Sequence, residues 1–242
     1  KRQDGQLPAI TIREENGTAR VVGKVDRVDG WLHDGKLYLR VVDYKTGKKS
    51  FDLAELRYGL GLQMLLYLFT LKEEGQMLFG GHEIVPAGVL YTPAREPMLR
   101  CARDTEPETI EKALKKELRR SGMVLEDPAV LQAMEHSALE SPCYLPIAVK
   151  RDGTVTGSLA SAEQLGKLSK YVDHILHEIT QEVFAGNIDA DPYARTPQQS
   201  ACTYCEFASA CHFENGCGSD RMEYIKATKN DEFWQYIDEV NG

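Results

Sequence analysis

The chain has 242 residues, which suits one large domain or two small ones. Hydrophobic residues make up 42% and charged residues 27%, so the chain can bury a core and is neither disordered nor fibrous. Its net charge of −8 excludes a surface wholly devoted to DNA or anionic lipid, although a local basic groove remains compatible with it.

Location and completeness can be predicted from the same data. The longest apolar run is far too short to span a bilayer, and no secretory leader opens the chain, so we expect no membrane segment. Six cysteines, three of them crowded between 202 and 211, do not resemble a secreted disulfide framework and favour a reducing, cytoplasmic compartment. The abrupt polar start without Met predicts a fragment of a larger protein.

The first third of the chain carries mainly β-strand signals. Residues 9–13 alternate weakly between apolar and polar. Two β-rich runs, 19–30 and 36–45, flank Asp34-Gly35, which is a strong hairpin signal. These residues predict an antiparallel pair of strands joined by a tight turn.

The rest of the chain alternates helical and strand patterns. Apolar residues recur at helical spacing from 52 to about 74, and 83–91 is an apolar strand with 98–102 as its candidate partner. The later predicted elements are helices at 105–120 and 129–134, a hairpin around 151–153, a long helix at 161–184 and a last helix at 231–236. Strands first and helices around them indicate an α/β or α+β sandwich.

The strongest chemical signal lies on the predicted hairpin. Alternate residues of a strand share a face, so Asp43 and Lys45 project together while Tyr44 points away. If Asp34-Gly35 is a two-residue turn, the numbers of paired residues sum to 69, and Asp26 lies opposite Asp43.

Two carboxylates so close repel each other, and a divalent cation between them removes the conflict. Oxygen ligands favour Mg²⁺ or Mn²⁺, and the nearby Lys45 could orient a water or neutralise a phosphate. This set of groups suits phosphodiester hydrolysis. The alternative is a solvated hairpin whose acids merely face water. Asp29 lies on the other face opposite Arg40, where a surface ion pair is expected.

Two further polar groups and a basic cluster have more than one interpretation. Gln63 and Tyr67 are four residues apart and share one helix face, either at the edge of a packed surface or facing the metal site and the substrate backbone. The basic residues between 112 and 120 alternate with glutamates, which predicts intrahelical ion pairs rather than a stripe for phosphates.

These motifs resemble a known family. The runs 23–29, 42–47 and 63–67 are similar to the nuclease domain of the PD-(D/E)XK superfamily in its RecB-like branch. The similarity continues to the cysteine segment and is closest to the C-terminal nuclease domain of the AddB component of AddAB-type helicase–nucleases. It implies a PD-(D/E)XK fold, with a central mixed sheet flanked by helices and a cysteine-rich C-terminal extension.

The resemblance also implies roles for individual residues. Asp26 and Asp43, with the Tyr44 carbonyl, would bind Mg²⁺ or Mn²⁺; Lys45 would be the catalytic lysine. Gln63 and Tyr67 would form the Q-x-x-x-Y motif. The family's core normally opens with a helix that carries a further acidic or histidine residue, upstream of this chain. We therefore expect the isolated fragment to be weakly active or inactive.

The function implied by the resemblance is that of a Mg²⁺-dependent DNA exonuclease. It would hydrolyse single-stranded ends of unwound duplex within an ATP-dependent helicase–nuclease, in double-strand-break repair and recombination. Its partner would be an AddA-type subunit, forming a heterodimer. A stand-alone single-strand exonuclease is one alternative. A non-catalytic DNA-binding or interaction module that holds zinc is another, which metal analysis would distinguish.

The cysteine segment predicts a second metal site. Cys202, Cys205 and Cys211 have the spacing C-x₂-C-x₅-C, which suits zinc or an iron–sulfur cluster, although unrelated buried thiols are the alternative. In the family, three such cysteines and one far upstream hold a [4Fe–4S] cluster. The fourth ligand would lie outside this chain, with Cys217 as a candidate substitute, or His212 if the metal is zinc. We expect the cluster to be absent or incomplete in this fragment.

The expected domain organisation follows from the change in composition after residue 186. Residues 1–190 would form the nuclease core, with an inserted helical segment at about 103–142, and 191–242 would form the cysteine-rich extension.

Overall fold

A five-stranded mixed sheet is the centre of the computed structural model, which describes residues 7–47 and 49–242. The strands are β1 (Ile10–Glu14), β2 (Gly17–Val21), β3 (Arg27–His33), β4 (Lys36–Lys45), β5 (Glu83–Pro93), β6 (Ser121–Leu125), β7 (Ile147–Val149), β8 (Val155–Gly157), β9 (Leu159–Ala160), β10 (Tyr193–Thr196), β11 (Gln199–Ser200) and β12 (Glu223–Tyr224). The helices are α1 (Leu53–Arg57), α2 (Gln63–Glu74), α3 (Pro107–Glu117), α4 (Pro128–Met134), α5 (Ala162–Ala185), α6 (Ala208–Cys211) and α7 (Asn230–Asn241).

The central sheet has the strand order β3-β4-β5-β6-β9. The pairs β4–β5 and β6–β9 are parallel, whereas β3–β4 and β5–β6 are antiparallel. Helix α2 packs on β4 and β5, and α4 packs on β6. The predicted mixed sheet flanked by helices is therefore confirmed.

The β3–β4 hairpin has the predicted register. Asp34 and Gly35 both have positive φ angles, 48° and 77°, as a type I′ turn requires. The ladder runs from His33–Lys36 to Arg27–Val42, and every pair sums to 69. It stops one residue short of Asp26. The predicted strand at 19–30 is in fact divided, because β2 ends at Val21 and β3 begins at Arg27.

Other predicted elements need correction. The single helix expected over 52–74 is two helices, α1 and α2, because Gly59 and Gly61 have left-handed φ angles of 70° and 71° that cannot continue a right-handed helix. Residues 98–102 form no strand. Strand β6 instead pairs with β5, and it lies inside the segment expected to be a helical insertion. A Cβ at Gly122 would overlap the Val89 carbonyl oxygen, so this pairing depends on glycine.

The chain divides into two compact units. One contains 7–10, 20–47, 49–51 and 62–172, and the other contains 11–19, 52–61 and 173–242. The first includes the whole central sheet. In the second, Arg195 forms ion pairs with Asp52, the N-cap of α1, and with Glu55. The domain boundary expected at residue 190 stays a prediction. No helix in the described part of the chain is long and apolar enough to cross a membrane.

A buried apolar cluster joins the sheet to the segment that follows α4. It contains Leu90, Val124, Leu131, Ala138, Leu145 and Ile147. One side chain fixes the loop that brings Leu145 into this cluster. The carboxylate of Glu135 accepts hydrogen bonds from the backbone N–H groups of Cys143, Tyr144 and Leu145, at 2.5, 3.1 and 2.9 Å.

We predict that Glu135→Ala lowers the free energy of unfolding by about 2–4 kcal/mol, because it leaves three partly buried N–H groups without their acceptor. Chemical denaturation measures the change. Glu140→Ala, which removes an exposed carboxylate from the same segment, is the matched control and should change stability by less than about 0.5 kcal/mol. Equal effects of the two substitutions would contradict this role for Glu135.

Asp29 lies opposite Arg40 on the hairpin, as predicted, and forms an ion pair with it. Arg27 Nε donates to Oδ1 at 2.6 Å and Arg40 Nε to Oδ2 at 2.8 Å. Burial alone would raise the pKa of Asp29, but these two hydrogen bonds outweigh burial and hold the pKa below its ordinary value.

A depressed folded-state pKa means that Asp29 stabilises the protein above its unfolded pKa of about 3.9, and that this contribution is lost as the pH falls through the folded value. We expect Asp29→Asn to cost about 1 kcal/mol at pH 7, discounted for solvent screening. The difference from wild type should shrink steadily below about pH 4. Denaturation of both proteins across this range is the measurement, and a difference independent of pH would contradict it.

Candidate metal centre

Asp43 and Lys45 lie at the carboxyl end of β4, between β3 and β5. Val41 and Val42 are buried hydrophobic neighbours, and Asp43 itself is only 8% exposed. The Lys45 ammonium lies 2.6 Å from Asp43 Oδ2 and 5.8 Å from the centre of the Tyr91 ring. The prediction that Asp43 and Lys45 share one face of the strand is therefore confirmed.

The Asp43 carboxylate has charge compensation but lacks a hydrogen bond. Within the described residues, no group donates a hydrogen bond to its buried Oδ2, since the close approach of Lys45 does not have hydrogen-bond geometry. A buried carboxylate oxygen without a donor is costly. A divalent cation would satisfy such an oxygen, so the donor chemistry here fits Mg²⁺ or Mn²⁺.

Asp26 reaches the same end of β4 from the segment that precedes β3. Its Oδ2 accepts a hydrogen bond from the backbone N–H of Tyr44 at 3.2 Å, although the side chain is otherwise exposed. Tyr44 itself is directed to the other face, where its hydroxyl accepts a hydrogen bond from Arg27. The structure thus brings Asp26 beside the Asp43–Tyr44–Lys45 run. Their roles as metal ligands and catalytic lysine stay predictions.

Gln63 and Tyr67 form a pair on α2. Gln63 Nε2 donates to the Tyr67 hydroxyl at 3.0 Å. The Tyr67 ring packs on Gly23, where a Cβ would lie 2.5 Å from Cε1 and 2.8 Å from the hydroxyl oxygen. Because Gly23 begins the run that leads to Asp26, this packing holds the Gln63–Tyr67 pair beside the acidic segment.

The cysteines do not form a ligand set. All six are free thiols, and Cys205, Cys211 and Cys217 are exposed while Cys202 is half-buried. Among residues 7–47 and 49–242, no three His, Cys, Asp or Glu side chains converge on a point where they could share one metal ion. The four cysteines as placed here therefore do not fit a cluster by themselves, and the predicted [4Fe–4S] site stays a prediction.

A cavity of about 280 Å³ at the carboxyl ends of β4 and β5 was missed by sequence reasoning. Lys45 lines it together with Arg95 and Arg119. The ion pairs predicted for the basic cluster are confirmed for Lys112 and Lys115, which bind Glu108 and Glu111. Arg119, in contrast, lies beyond the end of α3. Its helical spacing in the sequence concealed this position.

Comparison with known proteins agrees with this geometry. Residues 3–212 match the family model of the PD-(D/E)XK nuclease superfamily. The chain belongs to the PD-(D/E)XK nuclease superfamily. The predicted fold and family resemblance are thereby confirmed.

Curated relatives are named as the AddB-type component of an ATP-dependent helicase/deoxyribonuclease. The chain is 31% identical to that of Ruminiclostridium cellulolyticum over 240 residues, 34% to that of Clostridium botulinum over 238 and 32% to that of a Thermoanaerobacter species over 243. These alignments cover 98%, 97% and 99% of this chain and 21% of each relative. This PD-(D/E)XK chain therefore spans about a fifth of the length of these relatives.

We predict that Gly23→Ala displaces the Tyr67 ring and lowers the nuclease activity about tenfold, because Gln63 and Tyr67 then lose their position beside the acidic segment. The ring can turn away, so stability should change by less than about 1.5 kcal/mol. A crystal structure and single-turnover cleavage rates measure the two effects. Gly166→Ala adds the same methyl group where no atom lies within 4 Å and is the control. Wild-type rates for Gly23→Ala would contradict the prediction.

Proposed function

We propose that this chain is the Mg²⁺-dependent DNA nuclease domain of one component of an ATP-dependent helicase–nuclease. It would hydrolyse phosphodiester bonds of single strands released by unwinding. The observation that carries the proposal is the buried Asp43 Oδ2, which lacks a hydrogen-bond donor within the described residues and lies 2.6 Å from the Lys45 ammonium. The family and the names of the relatives, which combine helicase with deoxyribonuclease, support it.

Each residue at the site would have a distinct task. Asp43, Asp26 and the Tyr44 carbonyl would hold a divalent cation, which when bound supplies Lewis acidity and an activated water. Lys45 carries three N–H donors, so it can stay close to Asp43 while another N–H orients a water or contacts a phosphate oxygen. The amide of Gln63 and the hydroxyl of Tyr67, already joined at 3.0 Å, would contact the DNA backbone.

We extend the proposal to the whole protein. The names of the relatives support a bacterial helicase–nuclease that acts in double-strand-break repair and recombination, in the cytoplasm, with an AddA-type partner. Cys202, Cys205 and Cys211 would contribute to a [4Fe–4S] cluster whose fourth ligand lies outside this chain. That cluster would have a structural role, since hydrolysis requires no redox chemistry.

Asp43→Asn tests the proposal. It removes the buried charge but keeps the side-chain shape, so stability without metal should change by less than about 1 kcal/mol. Addition of Mg²⁺ or Mn²⁺ should raise the melting temperature of wild type but not of the variant. Cleavage should fall at least about a hundredfold.

The control for this experiment is Asp104→Asn, which makes the same chemical change at an exposed site and should behave as wild type. Full Mg²⁺-dependent cleavage by Asp43→Asn would refute the assignment. Stoichiometric zinc in a protein without Mg²⁺-dependent cleavage would favour the non-catalytic DNA-binding or interaction module instead.

A further inference from the structure

The cavity at the carboxyl ends of β4 and β5 is continuous with the candidate metal centre through Lys45. Its volume of about 280 Å³ is at the small end of the range for ligand pockets, enough for one unit of a nucleic-acid backbone but not for a duplex. Crevices at the carboxyl ends of neighbouring parallel strands are frequent ligand sites in α/β sheets.

The lining of the cavity is strongly cationic. Lys45, Lys49, Arg95 and Arg119 contribute four positive charges, and Glu117 contributes the one negative charge among the described lining residues. Arg119 is fixed by hydrogen bonds to the carbonyl oxygens of Leu145 and Ile147. Because carbonyl groups are neutral, they orient this guanidinium without cancelling its charge.

Arg95 is the cation best suited to exchange partners. Its Nη2 lies 3.1 Å from Glu117 Oε2, and the two side chains are 30% and 40% exposed. An ion pair this exposed contributes little stability, so an incoming anion can replace Glu117 at small cost. Thr92, which also lines the cavity, has a buried hydroxyl without a hydrogen-bond partner among the described residues.

We infer that this cavity is a phosphate subsite, which binds the phosphodiester group next to the scissile one on the same DNA strand. Arg95 would leave Glu117 and pair with that phosphate, beside the fixed charge of Arg119. The inference rests on the proposed function, because the subsite would place the strand relative to Lys45. Glu117 would keep Arg95 in position when DNA is absent and would compete with DNA for it.

The test measures binding of a fluorescein-labelled oligothymidylate to the purified protein by fluorescence anisotropy, with Ca²⁺ in place of Mg²⁺ so that no cleavage is needed. Arg95→Gln should weaken binding about five- to tenfold, the effect of one charge-assisted contact. The slope of log affinity against log salt should fall by about 0.7, as expected for one lost phosphate contact on a single strand.

Two further variants make the test specific. Glu117→Gln removes the competitor of the phosphate, so it should tighten binding about two- to fivefold. Arg103→Gln changes the net charge equally at an exposed position outside the cavity and should leave both affinity and salt slope unchanged. Unchanged binding by Arg95→Gln, or weaker binding by Glu117→Gln, would overturn the inference.

A neutral methylphosphonate moved along the oligonucleotide identifies the source of the phosphate. One position should weaken binding to wild type and have no further effect on Arg95→Gln. If Arg95→Gln instead weakens only the binding of free thymidine 5′-monophosphate, the cavity binds free nucleotides and the inference is wrong. Because binding is measured without turnover, its failure is distinct from the loss of cleavage that tests the proposed function.

Discussion

A carboxylate buried at the end of a central strand is the constraint on which the rest of this structure depends. Asp43 follows two buried valines on β4, so the sheet that forms the core also removes this acid from water. Such a charge is stable only with compensation. Lys45 supplies the compensation from two residues away, because the alternation of a strand places both side chains on one face.

This constraint explains why the surrounding elements are placed as they are. The hydrogen bond from Tyr44 N–H holds Asp26 next to the strand end, and the contact between Gly23 and Tyr67 positions α2 against the same segment. On the opposite face, Asp29 joins Arg27 and Arg40 into a network that makes no use of the buried acid. The two faces of one hairpin thus separate a candidate reactive site from a purely structural ion pair.

The hairpin could be predicted from sequence because its determinants are local. Asp34-Gly35 selects a two-residue turn, and the turn alone fixes every cross-strand pair from His33–Lys36 to Arg27–Val42. The division of the 52–74 helix was missed because apolar periodicity continues across Gly59 and Gly61, whose φ angles periodicity does not reveal. β6 was missed because a five-residue strand has too little pattern, and its place in the sheet depends on pairing with β5. The cavity could not be predicted, since Arg95 and Arg119 meet there only through tertiary structure.

The order of strands has a consequence for association between molecules. β3 is the edge strand of the central sheet, and unpaired N–H and C=O groups along an edge can recruit a strand from a second chain. Arg27 and Asp29 lie on this edge strand, and an arriving strand would have to accommodate their charges. The sheet therefore carries its own protection against polymerisation. Neutralising both side chains would make β3 a more permissive template for aggregation.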